Sequence, residues 1–399
     1  MDAAAVRPVS LVDRRIFAVG LAGFSAFLDL YATQGLLPLL VREFHVTQVA
    51  ASGTVSVTTT AVALTAPLAG FLADNVGRKR IIVGAAFALA LPTLAMAWAT
   101  SFPQLLLLRF LQGLAMPAIF ATTLAYVGEE CEGDLGRAMA SYVTGNILGG
   151  VVGRFSLAVV AEHWGWPAAF FGLGCANLLA AVTLWATLPH SRHFVREANL
   201  TAAFAAARAH LRDPRLIAAY AVGFNILFSI VATFTYVGFY LAAPPFRLGT
   251  AQLGSIFLVY LAGALGTPLA GRLLRRVGAR AVLAAGMAAA GAGVLLTLIA
   301  QLSVVLVGLA LSAVGIFACQ SAANSYLAIS SGRARSSAAG LYLSIYYLGG
   351  TAGAILPGFA YDRGGWLGCV LLILCVEVAT AIVALALWKQ PASLEPDAV

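Results

Sequence analysis

Apolar runs of about twenty or more residues, the length that crosses a hydrocarbon core, recur from one end of the chain to the other. Those over 16–40, 50–73, 81–99, 103–128, 138–161, 166–188, 214–242, 250–271, 281–300, 303–329, 336–360 and 366–388 each predict a helix. Lipid offers the backbone no hydrogen-bond partners, so single segments of this length must satisfy their own N–H and C=O groups by coiling. The pattern predicts an all-α membrane protein with twelve transmembrane helices. An even number of spans puts both termini on one side.

Composition supports the pattern. The 399 residues are 61% hydrophobic and 10% charged, against about 25% charge in a soluble domain. A net charge of +8 would suit nucleic acid if it were clustered among aromatics, but it lies in short loops, so no nucleic-acid partner is expected. Of the 24 Lys and Arg residues, 19 fall on the side of the termini. Arg42, Arg247 and Arg363 fall on the other side, and Arg109 and Arg154 inside predicted spans. Such an excess marks the cytoplasmic face, and both termini are expected there. Arg14 and Arg15 precede an apolar stretch that lacks a small-residue cleavage site and exceeds a signal-peptide core, so it is expected to stay as the first membrane helix.

Cys131, Cys175, Cys319, Cys369 and Cys375 show neither metal-ligand spacing nor a disulfide framework and read as reduced packing residues. His45, His163, His190, His193 and His210 lie in or beside loops. No GxxxxGK[ST], HExxH or GxSxG motif is present, so the chain is not expected to be an enzyme or to carry a cofactor or metal.

The one long connection, 189–213, divides the spans into an amino-terminal bundle over 1–188 and a carboxy-terminal bundle over 214–399. Within it Leu200, Phe204, Ala207 and Leu211 repeat at helical spacing while Arg208 and Arg212 fall outside that seam. The stretch reads equally as an amphipathic helix on the inner leaflet and as a solvated linker. The two bundles are repeats. Pro67-Leu68-Ala69-Gly70 recurs as Pro268-Leu269-Ala270-Gly271, Gly149, Gly150 and Gly153 recur as Gly349, Gly350 and Gly353, and Gly165-Trp166 recurs as Gly365-Trp366. Two similar halves in one orientation suit alternating access by rocking about a central site.

Ionisable residues inside spans carry the candidate chemistry, because charge at that depth is costly unless protonated, paired or wetted. Asp29 sits near the middle of the first span and reads as a proton carrier, with a fixed ion pair to an arginine as the structural alternative. Arg109 and Arg154 are the basic residues available to it, to set its proton affinity or, for Arg109, to hold an anionic group. Glu377 is mid-span in the twelfth run.

The loop GFLADNVGRKR, Gly70 to Arg80, resembles the signature loop of the major facilitator superfamily, with Gly70, Asp74, Gly77, Arg78 and Lys79 at the family's positions. RFLQG, with Arg109, Gln112 and Gly113, is similar to a second motif. GNILGGVVGR, Gly145 to Arg154, is similar to the glycine-rich antiporter motif but lacks its proline after Gly149. Within the superfamily the chain resembles the drug:proton antiporter group and the YnfM-like inner-membrane transport proteins, which share the GN-x-x-GG-x-x-GR pattern and an LP-x-SRHF stretch, here Leu188 to Phe194.

The resemblance implies the major facilitator fold, two pseudo-symmetric six-helix bundles, as a monomer in a bacterial inner membrane. It also implies proton-coupled efflux of a small amphipathic compound such as a drug-like molecule, siderophore or metabolite. Uptake by symport and a non-transporting sensor or scaffold are the rivals. Asp74, between Gly70 and Gly77, and Arg78 and Lys79 just after them, near acidic Glu129, Glu130 and Asp134, then read as a cytoplasmic latch. The second-half counterpart of Asp74 is Arg275, so gating is assigned to the first-half loop alone. Family geometry makes spans one, four, seven and ten the cavity walls, with Tyr31, Gln34, Thr122, Tyr126, Asn225, Tyr236, Gln320 and Asn324 as candidate substrate contacts. Gly145, Gly149, Gly150, Gly153, Gly349, Gly350 and Gly353 read as close-packing positions, where small residues let helices approach in lipid.

Overall fold

The apolar runs form helices, and no strand occurs among the described residues. The computed structural model describes residues 11–191, 210–330 and 335–388. The first span is broken: helix α1 (Leu11–Leu30) gives way at Tyr31 to a 3-10 turn (Ala32–Leu36), and α2 (Leu37–Phe44) completes the run. Then follow α3 (Gln48–Val76), α4 (Arg78–Ala95), α5 (Phe102–Glu130) and α6 (Leu135–Thr187). The second half has α7 (Pro214–Ala242), the short α8 (Thr250–Ser255), α9 (Tyr260–Leu296), α10 (Leu302–Ser330) and α11 (Arg335–Leu387). The possible amphipathic stretch over 200–211 lies outside the described residues except at its end. Among the described residues, nine helical stretches are long and apolar enough to cross a membrane.

Three of them double back. Gly165, Gly278 and Gly365, inside α6, α9 and α11, have φ of 82°, 79° and 57°, a left-handed conformation that glycine adopts without a Cβ clash. In a straight helix, residues 153 and 177 of α6 would lie about 36 Å apart. Instead Gly153 abuts the carbonyl of Leu28 while Asn177 reaches Asp29, so the two legs run side by side. In α11 the Cys369 thiol likewise meets the Pro357 carbonyl at 3.2 Å. In α9, Gly263 and Gly293 lie against the neighbouring residues Ala313 and Ser312. Connections expected as short loops are single-glycine corners.

The repeat seen in the sequence holds in space. A Cβ on Gly149 or Gly153 would collide with the carbonyls of Phe24 and Leu28, and one on Gly349 or Gly353 with those of Phe224 and Phe228, each partner also 200 positions on. Gly145 packs in the same way on Gly20. These contacts bind α1 to the first leg of α6, and α7 to the first leg of α11. The glycine line carries α1 and its Asp29 close to the leg that bears Arg154.

The two halves touch from mid-bundle to the end opposite the start of α1. Gln34 Nε2 donates to Thr235 Oγ1 (3.1 Å), the Tyr236 hydroxyl lies 3.1 Å from Ser52 Oγ, and Thr351 lies 3.0 Å and 3.1 Å from Thr59 and Thr60. Nearest that end, the Ala251 N–H donates to the Glu162 carboxylate at 2.6 Å. All of these cross-half bonds lie away from the end at which α1 starts.

Candidate functional site

The break at Tyr31 builds the site. A helix that ends leaves carbonyls without intrahelical donors, and here those of Asp29 and Leu30 are met by a side chain from another helix. Arg109 is fully buried on α5. It donates from Nη1 to the Asp29 carbonyl (2.8 Å), from Nη2 to the Leu30 carbonyl (2.9 Å) and from Nε to the Thr54 carbonyl of α3 (3.0 Å). One guanidinium thereby ties three helices. Its Nη1 also donates to Gln112 Oε1 at 2.7 Å, which turns the Gln112 amide N–H group toward the carboxylate.

The Asp29 carboxylate is fully buried and held by neutral donors from three other helices, α4, α5 and α6. Oδ1 accepts from Gln112 Nε2 (2.9 Å) and Thr93 Oγ1 (3.1 Å), and Oδ2 from Asn177 Nδ2 (2.6 Å). The ion pair weighed as the structural alternative takes a different form. Arg109 bonds to the backbone of Asp29, and its charge acts on the carboxylate only from beside it. Thr93 Oγ1 is also 2.7 Å from the Leu89 carbonyl, so its hydroxyl has two acceptors to choose between.

Arg154 stands apart from Asp29. It is 5% exposed, and it donates from Nε to Gln34 Oε1 (2.8 Å) and from Nη1 to the Gly150 carbonyl (2.6 Å). Its Cζ lies 4.8 Å from the ring centre of Tyr31 and 5.0 Å from those of Phe257 and Tyr260. Tyr31 and Gln34 are thus drawn together, and the second half contributes two rings that sequence reasoning did not single out.

The other candidates are scattered. Thr122 is buried with no acceptor for its hydroxyl among the described residues, and Tyr126 is buried with its hydroxyl donated to Pro189 at 3.3 Å. Asn225 accepts from Ser229 (3.1 Å), and the Tyr236 hydroxyl donates to the Ala354 carbonyl (2.7 Å). Gln320 donates to Asn324 (2.9 Å) and Tyr342 (3.1 Å), forming a polar cluster in the second half. Glu377 is 5% exposed and sits against Gly291, separate from Asp29.

In the signature loop, Gly77 takes φ 102° as the turn between α3 and α4, with Gly70 on α3 and Lys79 half-buried. Arg78 grips Glu129 with both arms of its fork (3.1 Å and 2.6 Å), a contact inside the first half. The side chain of Asp74 lies outside the described residues.

Sequence reasoning missed Thr93 and Asn177. Their signal was a lone polar residue near the middle of an otherwise apolar run, which has value only once the fold shows that several share one depth with Asp29. Gln112 was visible in the RFLQG motif but carried no role.

A family model described as Major Facilitator Superfamily matches residues 19–260 and 238–398. An uncharacterized MFS-type transporter of Bacillus subtilis (strain 168), YybF, is 36% identical over 386 residues, 96% of this chain and 94% of its own length. The inner membrane transport protein YnfM of Escherichia coli (strain K12) is 36% identical over 384 residues, covering 95% and 91%. The nucleoside transporter NupG shares the fold at a TM-score of 0.78 and 17% identity, over 95% of this chain and all of that one. Long apolar helices, three corner glycines, a half-to-half repeat and these full-length matches lead to one conclusion: the chain is a multi-pass membrane transporter and belongs to the Major Facilitator Superfamily.

Proposed function

We propose that the chain is a proton-coupled exporter of a small amphipathic organic compound, working by alternating access in a bacterial inner membrane. The nine apolar stretches with their three reversals make twelve passes, divided six and six into bundles over 1–188 and 214–399, with both termini cytoplasmic by the Lys/Arg bias. The carrying observation is the Asp29 cage. Three neutral donors hold the carboxylate, and none of them neutralises it permanently.

Both protonation states find partners there. Ionised Asp29 accepts from Thr93, Gln112 and Asn177. Protonated Asp29 donates its new O–H to Thr93 Oγ1, which turns its own hydrogen to the Leu89 carbonyl. A buried carboxylate that can be satisfied in two states is suited to cycling, whereas a fixed ion pair holds one. Substrate and proton then compete for the first half, and the halves rock with the balance. The signature loop acts as a latch through Asp74, with the Arg78–Glu129 fork stiffening the turn that carries it.

The test is flux in inverted vesicles, driven by an imposed pH gradient. The parent exchanges protons for substrate, and Asp29→Asn loses gradient-driven flux while remaining in the membrane at parental levels. The amide is tolerated because Asn177 can rotate its own amide oxygen, unpartnered among the described residues, toward the new N–H group. Unchanged gradient-driven flux in Asp29→Asn removes the carboxylate from the mechanism, and proton movement in the same direction as substrate favours the symport reading.

A further inference from the structure

Arg154 is a buried cation for which the described residues supply no anion. Its Nε and Nη1 are held by Gln34 and Gly150, while Nη2 meets no acceptor and no carboxylate pairs with the group among the described residues. Removing a guanidinium from water costs more than the faces of nearby rings return. A residue that only stitched helices together would be expected to end on carbonyls, as Arg109 does with all three of its nitrogens. Arg154 instead keeps one edge of its fork free, and its orientation is set in advance, because Gln34 is itself fixed by Thr235 across the two halves.

The surroundings narrow the ligand. A guanidinium edge matches a planar carboxylate through parallel charge-assisted hydrogen bonds. The guanidinium itself sits over three rings, Tyr31 from the first half and Phe257 and Tyr260 from the second, each within 5.0 Å of Cζ. Tyr260 in turn packs on Phe234 (4.4 Å between ring centres) and Phe317 (6.3 Å). A flat ring carrying the carboxylate would lie against these faces, and a strongly hydrated small anion would gain little from them.

We infer that Arg154, within the box of Tyr31, Phe257 and Tyr260, is the recognition point for the carboxylate of an aromatic organic acid. This rests on the transporter reading and supplies the chemical class of its substrate. Binding there touches both halves at once, so an occupied box changes the balance between their arrangements and not merely the occupancy of a pocket.

The experiment uses the full-length protein in lipid nanodiscs without any pH gradient, so that it stands or falls independently of proton coupling. Benzoate, its neutral counterpart benzamide, and acetate are titrated while thermal stability is followed. Benzoate is expected to stabilise the parent at concentrations at least tenfold below those needed for benzamide or acetate. Arg154→Gln is expected to abolish that preference, and Arg154→Lys to retain part of it. If Arg154→Gln is too unstable to purify, Tyr260→Leu serves, with benzoate weakened severalfold and acetate unchanged. Equal effects of benzoate and benzamide, no benzoate effect, or a benzoate preference that survives Arg154→Gln or Tyr260→Leu would overturn the inference. Loss of gradient-driven export with benzoate binding intact would instead overturn the exporter reading alone.

Discussion

At the scale of single residues, the site depends on which group each donor is aimed at. Gln112 bridges the two charged residues: its oxygen accepts from Arg109 and its nitrogen donates to Asp29. That arrangement separates the carboxylate from the guanidinium and leaves Thr93 as the group that can reverse its role when a proton arrives. Thr93→Val keeps the shape but removes the hydroxyl from the cage. The protonated acid then finds an acceptor only if Asn177 flips its amide oxygen toward it and gives up the N–H it donates. Losing one such hydrogen bond is worth about 1 kcal/mol, so gradient-driven flux is expected to fall about fivefold to tenfold, and Thr93→Ser to restore it. Equal flux in Thr93→Val and parent would exclude the switch. Asp29, Arg109 and Arg154 were legible in the sequence because charge inside an apolar run is conspicuous. Their partners were not, because a threonine or asparagine in a span is ordinary until its depth and facing are known.

Helices bring these residues together through two local devices. The break at Tyr31 frees two carbonyls for Arg109; Thr33, Gln34 and Gly35 interrupt the apolar run there, but the run over 16–40 stays long enough to read as one span. The glycine line was legible as a repeat, and its geometry is a close approach of backbone to backbone. Gly153→Ala therefore has a steep local effect. The added methyl has no space against the Leu28 carbonyl, and relief requires the leg of α6 to move away from the segment that carries Asp29. Overpacking of this kind costs about 1–3 kcal/mol. Lower thermal stability in detergent is expected, and Gly353→Ala should reproduce it against Phe228 if the two halves are equivalent. Gly172→Ala, where a Cβ meets nothing within 4 Å, is the control. Full stability of both interface variants would show that the packing is looser than these contacts imply.

For the whole molecule, the arrangement of cross-half contacts determines which arrangement the structure represents. The hydrogen bonds between the halves lie between mid-bundle and the end away from the termini, where Ala158 of the first half presses on Gly254 of the second and Glu162 accepts from the Ala251 N–H. Among the described residues the halves are thus joined at that end, as in a state that opens toward the side of the termini. Glu162 was invisible to motif reasoning: an exposed glutamate beside a loop has no distinguishing pattern, and its partner is a backbone group. A carboxylate on a backbone N–H at an exposed site is worth about 1 kcal/mol after solvent screening, and this bond must break before the halves can part at that end. Glu162→Ala removes it without touching Asp29 or Arg154, so the population should shift toward the opposite-facing arrangement by about fivefold. Two reporter cysteines in otherwise identical backgrounds read the shift. Leu253→Cys, buried between the halves at the joined end, should become more reactive toward a membrane-impermeant thiol reagent. Asn324→Cys, exposed in the second half, should become less so. Movement of both in these directions supports a latch at Glu162, whereas a rise at both would mean that the bundle has loosened, and no change at either would mean that the seal rests on the apolar contacts around Gly254 alone.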